Sequence, residues 1–124
     1  MTEMNKDKAI RFLEMAAGGQ VREAYSKFVD PSFGHHNAFF EGSAKSLMAG
    51  MEENARQNPD KALEVKRVIA EGEFVAVHAH VRHKPAEPGA AVMHIFRFEN
   101  GRIVELWDVG QAVPEVSPNQ YGMF

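Results

Sequence analysis

The 124-residue chain contains no cysteine. That absence removes disulfides, thiolate nucleophiles and cysteine-built zinc sites together. A long uninterrupted apolar run is also missing. Between Met1 and Gln20, a stretch expected to be helical, Lys6, Asp7, Lys8, Arg11 and Glu14 interrupt every apolar segment, so neither a signal peptide nor a membrane span is expected and a cytoplasmic protein is the simplest reading. Basic charge is not in excess: 14 Lys and Arg stand against 17 Asp and Glu, scattered along the chain, and a nucleic-acid partner is not expected. None of the patterns GxGxxG, GxxxxGK[ST], GxSxG or HExxH occurs, which argues against nucleotide, serine-hydrolase and zinc-protease chemistry. No repeat or low-complexity segment stands out.

What is present suits one domain spanning residues 1–124. Apolar residues make up 44% and charged ones 25%, enough for a core and too few charges for disorder. Three amphipathic helices are predicted. Ala9, Phe12, Leu13, Ala16 and Ala17 recur at helical spacing before Gly18-Gly19. Val21, Ala24, Tyr25, Phe28 and Val29 form a second stripe that Pro31 ends. Ala44, Leu47, Met48, Met51 and Ala55 form a third, with Ser43 as N-cap and Asn58-Pro59 beyond it. Four strands are expected after them, at Leu63–Ala70, Phe74–Arg82, Ala91–Phe98 and Arg102–Val109, and an irregular tail over residues 114–124. Helices first and strands second predict an α+β fold with an antiparallel sheet.

Glu99-Asn100-Gly101 is the clearest turn signal and fixes the last hairpin. A two-residue turn would place His94 opposite Trp107. A three-residue turn with Gly101 in the left-handed position would put Val92, His94, Phe96 and Phe98 on one face with Val104, Leu106 and Asp108. The second register is preferred because it brings Arg97 beside Glu105 and leaves an apolar wall carrying only His94 and Asp108. One imidazole and one carboxylate on an apolar wall suit a small-molecule pocket. The opposite face, with Met93, Ile95, Ile103 and Trp107, is too apolar for water, and a homodimer contact is expected to cover it.

Each polar candidate also has a plain structural reading. His94 can act as a base near neutral pH, or be a core histidine satisfied by hydrogen bonds. Asp108 can orient an imidazole or abstract a proton, or simply finish a strand. His35-His36-Asn37, between Phe33 and Phe39-Phe40, suits a pocket mouth or a self-bonded turn. His78 and His80 share one strand face, as two ligands of a zinc site do, with His94 as a conceivable third; no acidic or cysteine ligand completes the set, and no metal is expected.

The segment from Phe33 to Asn37 followed by Glu41-Gly42, the run Val92-Met93-His94-Ile95-Phe96-Arg97-Phe98-Glu99-Asn100-Gly101 continuing through Trp107-Asp108-Val109, and the closing Asn119 to Phe124 resemble the SnoaL-like polyketide cyclase family. The resemblance covers most of the chain. It implies a cone-shaped fold of the nuclear-transport-factor-two type, with a strongly curved antiparallel sheet wrapped around the N-terminal helices, commonly dimeric. It implies cofactor-independent ring closure by aldol chemistry, in which an acidic cavity residue takes the proton beside a carbonyl. Residue by residue, His36 and Asn37 match the loop motif and Asp108 the aspartate after tryptophan. The sequence departs at His94, where the family usually has aspartate, and at Leu106, where a histidine usually precedes the tryptophan.

The expected function is therefore proton abstraction from a small apolar carbonyl compound, without a cofactor. His94, Asp108 and His36 are the expected catalytic groups. Asn37, His35, His80, His78, Phe96, Phe33 and Leu106 are expected to hold the substrate. A non-catalytic binding module using the same cavity is the alternative, and a zinc-dependent hydrolase built on His78, His80 and His94 a more remote one.

Overall fold

The structure is a computed structural model and describes residues 3–124; Met1 and Thr2, the start of the expected N-terminal helix, lie outside them. Element order is α1 (Asn5–Ala17), α2 (Val21–Phe28), β1 (Val29–His35), α3 (Ala44–Gln57), β2 (Ala62–Glu71), β3 (Phe74–Arg82), β4 (Ala90–Glu99) and β5 (Arg102–Ala112). The three expected helices form, and Ser43 caps α3 by accepting from the Ser46 amide at 3.2 Å, a contact worth about 1 kcal/mol.

The sheet has five strands in the order β1-β5-β4-β3-β2 and is open. Three neighbouring pairs are antiparallel as expected, but β1 runs parallel to β5, so the sheet is mixed. β1 is the strand the sequence hid. Val29 continues the helical stripe of α2, yet its backbone is already extended at φ −100, ψ 135. Pro31 reads as a breaker, but β1 is an edge strand, where a missing N–H is tolerated. Its pairing skips from Val29↔Ile103 to Gly34↔Glu105, which leaves Pro31 in the unpaired stretch. Arg102 secures the junction by donating to the carbonyls of Ser26 at 3.0 Å and Val29 at 2.7 Å.

All three helices cover one face of the sheet. Phe12 and Leu13 of α1, Tyr25 and Phe28 of α2 and Leu47 of α3 pack with Val75, Val77, Phe96, Phe98, Ile103 and Leu106 in a single core. Phe12 makes edge-to-face contacts with Tyr25 and Phe96 at centroid distances of 5.3 and 5.9 Å. The residues 113–124 form neither helix nor strand. Their end lies on the other face of the sheet, where the Phe124 ring stacks on His80 at 4.3 Å. No helix among the described residues is long and apolar enough to cross a membrane.

Candidate functional site

The hairpin of β4 and β5 sets the site. Asn100 (φ 51) and Gly101 (φ 76) are both left-handed, the signature of a two-residue turn, and Glu99 pairs with Arg102. The expected three-residue turn is therefore corrected. The extra residue sits further along: Phe98 pairs with Ile103 and Arg97 with Glu105, so Val104 is a one-residue bulge. Beyond the bulge the expected register holds, with Phe96 opposite Leu106 and His94 opposite Asp108. Before the bulge it does not. Ile103 turns inward and is fully buried against the core, so it leaves the outer face on which a dimer contact was expected. Met93, Ile95 and Trp107 alternate outward and remain there.

His94 points to the helix-covered face, between Val77 on β3 and Asp108 on β5. It lines a cavity of about 170 Å³ walled by Leu13, Ala16 and Ala17 of α1, Met51 of α3, Lys61 just before β2, Leu63 on it, and Val81 and Val92. His94 is 9% exposed, and its ring Nδ1 is buried with no hydrogen-bond partner among the described residues. Burial pushes its pKa down to about 4, against the opposing pull of the Asp108 charge; the Lys61 charge adds a smaller push downward. At neutral pH the ring is uncharged.

Asp108 is oriented by the loop after β1. The Asn37 side-chain amide donates to both carboxylate oxygens, at 3.2 and 3.0 Å, while Asn37 Oδ1 accepts from the Phe39 amide at 2.9 Å. His35 holds this loop from beneath. Its Nδ1 accepts from the Asn37 amide at 3.1 Å, so the proton resides on Nε2, which donates to the Glu41 carbonyl at 2.5 Å. Asp108 borders an adjoining depression of about 460 Å³ with His36, Asn37 and Phe39, and Val92 is common to both hollows. Burial, with a contribution from the Asp108 charge, pushes the Tyr25 phenol well above its ordinary value; its hydroxyl donates to the Met51 sulfur at 3.4 Å.

The structure separates the other expected site residues from His94. His36 lies on the outer face, stacked on Trp107 at 4.8 Å with its Nε2 2.6 Å from Glu105, because one residue further along an extended segment reverses the side chain. His78 and His80 also face outward, opposite Met93 and Ala91. The Arg67 guanidinium donates to His78, His80 pairs with the Pro88 carbonyl at 2.7 Å, and Phe124 covers both rings. They cannot join His94 across the sheet, so the three-histidine zinc arrangement does not form. Among the described residues no group of three or more His, Asp or Glu is placed to hold a metal ion. Phe33, Phe96 and Leu106 belong to the packed core and are not among the cavity-lining residues.

Two groups escaped the sequence reading. Tyr25 looks like an ordinary core aromatic in its helical stripe. Lys61 stands two residues before Leu63, on the same inward alternation, so period-two patterning carried a signal for it that a strand begun at Leu63 cuts off.

No protein of curated function matches the chain. Its fold is shared with solved structures at low identity. AclR of Streptomyces galilaeus, described as a candidate hydroxylase, superposes with a TM-score of 0.73 at 24% identity, over 92% of this chain and 89% of that one. IdmH of Streptomyces antibioticus, a candidate polyketide cyclase, gives 0.71 at 16% identity over 88% and 93%. A candidate SnoaL-like polyketide cyclase of Jannaschia sp. CCS1 gives 0.71 at 17% identity over 86% and 85%. Identities this low establish the fold alone. The model of the SnoaL-like domain family matches residues 9–106, most of the chain and every residue that lines the cavity, and stops two residues before Asp108. The chain belongs to the SnoaL-like domain family.

Proposed function

We propose that the chain binds a small apolar carbonyl compound in the cavity beneath α1 and removes the proton beside its carbonyl, with His94 as the base. The observation that carries this reading is a neutral imidazole, with a sealed and unpartnered Nδ1, on an otherwise mostly apolar wall. Because Nδ1 is cut off from solvent, exchange of a proton with a ligand falls to Nε2. The ring that accepts the proton becomes an imidazolium in a buried site, a cost that the carboxylate directly across the strand pair reduces. Asn37 keeps that carboxylate in place. Proton transfer of this kind requires no cofactor.

Size limits the substrate. A void of about 150 Å³ accommodates benzene, so about 170 Å³ takes one ring and few substituents. A larger molecule would extend past Val92 toward Asn37 and Asp108. The test is deuterium exchange at the α-carbon of cyclohexanone in heavy water, followed by NMR. The wild-type chain should accelerate exchange, His94→Gln should abolish the acceleration, and Asp108→Asn should reduce it. Equal acceleration by His94→Gln would overturn the assignment of the base.

One observation favours a second reading, in which the cavity binds without catalysis. A base whose pKa is near 4 lies well below the operating pH at which general bases work best. Binding of cyclohexanone without accelerated exchange would select this reading. For the outer face, where Met93, Ile95 and Trp107 remain half-buried, we propose contact with a second copy of the chain. Sedimentation of a monomer at micromolar concentration would end that proposal.

A further inference from the structure

Lys61 immediately precedes β2, and its side chain joins His94 on the cavity wall. It is half-buried, and its ammonium donates to Asn54 Oδ1 on α3 at 2.7 Å. That partner is a neutral amide. An ammonium carries three donors, and no carboxylate lies within ion-pair distance of this one among the described residues. The rest of the wall offers little: Leu13, Ala16, Met51, Val81 and Val92 are apolar, and among the described residues the only other polar side chain lining it is the uncharged His94. Burial holds the Lys61 pKa below its ordinary value.

A cation taken partly out of water is normally accompanied by an anion, because desolvation is otherwise uncompensated. Here the space beside the cation is the cavity itself. We infer that the cavity takes a small apolar carboxylic acid as its carboxylate, anchored on Lys61, with the apolar body directed along Leu13 and Val92 toward His94. Asn54 is then a positioning residue that holds the ammonium at the wall. The inference rests on the cavity being a binding site for a small apolar molecule. Together with proton removal by His94 it narrows the substrate class to small apolar keto acids, in which the carboxylate supplies affinity and the carbonyl supplies acidity.

The test uses three ring-sized probes that differ in one group: benzoate, benzamide and benzyl alcohol. Affinities are measured by calorimetry, and the His94 ring resonances report whether each probe occupies the cavity. The wild-type chain should bind benzoate about tenfold or more tightly than benzamide, a difference of about 1.4 kcal/mol. Lys61→Met should bring the two within about threefold of each other while leaving benzamide nearly unchanged, since only the charge-dependent part is removed. Lys61→Arg should keep the preference for benzoate, and Lys61→Gln stands in for Lys61→Met if that variant does not fold. Equal affinities in the wild-type chain, or a preference for benzoate that survives loss of the cation, would overturn the anchor while leaving the cavity intact as a binding site. If none of the probes moves the His94 resonances, the binding site and the anchor fail together.

Discussion

His94 and Asp108 are direct cross-strand partners, on neighbouring strands and on the same helix-covered face. The single-residue bulge at Val104 is what puts them there: without it, the two-residue turn would pair His94 with Trp107 and send Asp108 to the outer face. The turn and the bulge together therefore determine which carboxylate the buried imidazole meets.

The turn depends on Gly101. At φ 76 a side chain is strained by about 1–2 kcal/mol, and an added Cβ would also press on the Lys8 ammonium, at 2.9 Å. Gly101→Ala should lower stability by about that amount. Urea unfolding measures it; an unchanged midpoint would mean that the turn is not held in this form.

Burial of His94 makes stability depend on pH. Its folded pKa, about 4, is below the ordinary 6.5. Above pH 6.5 the ring is neutral in both states and contributes nothing to pH dependence. Between 6.5 and 4 only the unfolded chain takes up the proton, so stability falls as pH falls, by about 3 kcal/mol in all, and below 4 the loss is complete. His94→Asn should lose this component. Comparing urea midpoints of the two proteins at pH 7 and pH 4.5 isolates it, because the other titrating groups are common to both.

Asn37 ties the loop after β1 to Asp108 through two donors. Asn37→Ala should cost about 1–2 kcal/mol, the usual penalty for leaving a partly buried acceptor unpaired. Asn37→Asp should cost more, since it sets a second carboxylate against the first. The reverse order, in thermal or urea unfolding, would show that this amide does not hold the carboxylate.

Tyr25 offers the opposite case. Its hydroxyl reaches only a thioether, a weak acceptor, so Tyr25→Phe should change stability by less than about 1 kcal/mol. A much larger loss would mean that the phenol has a stronger partner, and Asp108 is the charge that acts on it.

The sequence carried these features unequally. The helical stripes of α1 and α3, the Ser43 cap and the limits of β3 were readable because each depends on neighbours a few residues away. So was the shared face of His94 and Asp108, which follows from alternation along a hairpin. β1 was not readable: a seven-residue edge strand with a proline, paired only at its ends, has no periodicity of its own and exists through contact with β5. Nor was the bulge, which replaces an expected longer turn at the same residue count and is visible only in the inward side chain of Ile103. His78, His80 and His36 were misplaced because a polar residue on a strand does not reveal which face is inside. The tail residue that covers two of them, Phe124, is more than forty positions away in sequence.

The most direct test of the site is a long-range ¹H–¹⁵N spectrum of the His94 ring, recorded from pH 7 to pH 4 with and without cyclohexanone. A neutral imidazole that begins to titrate only near pH 4, and whose resonances shift saturably with the ketone, is the expected result. A ring that titrates near 6.5 and ignores the ketone would contradict a buried base on the wall of a ligand cavity.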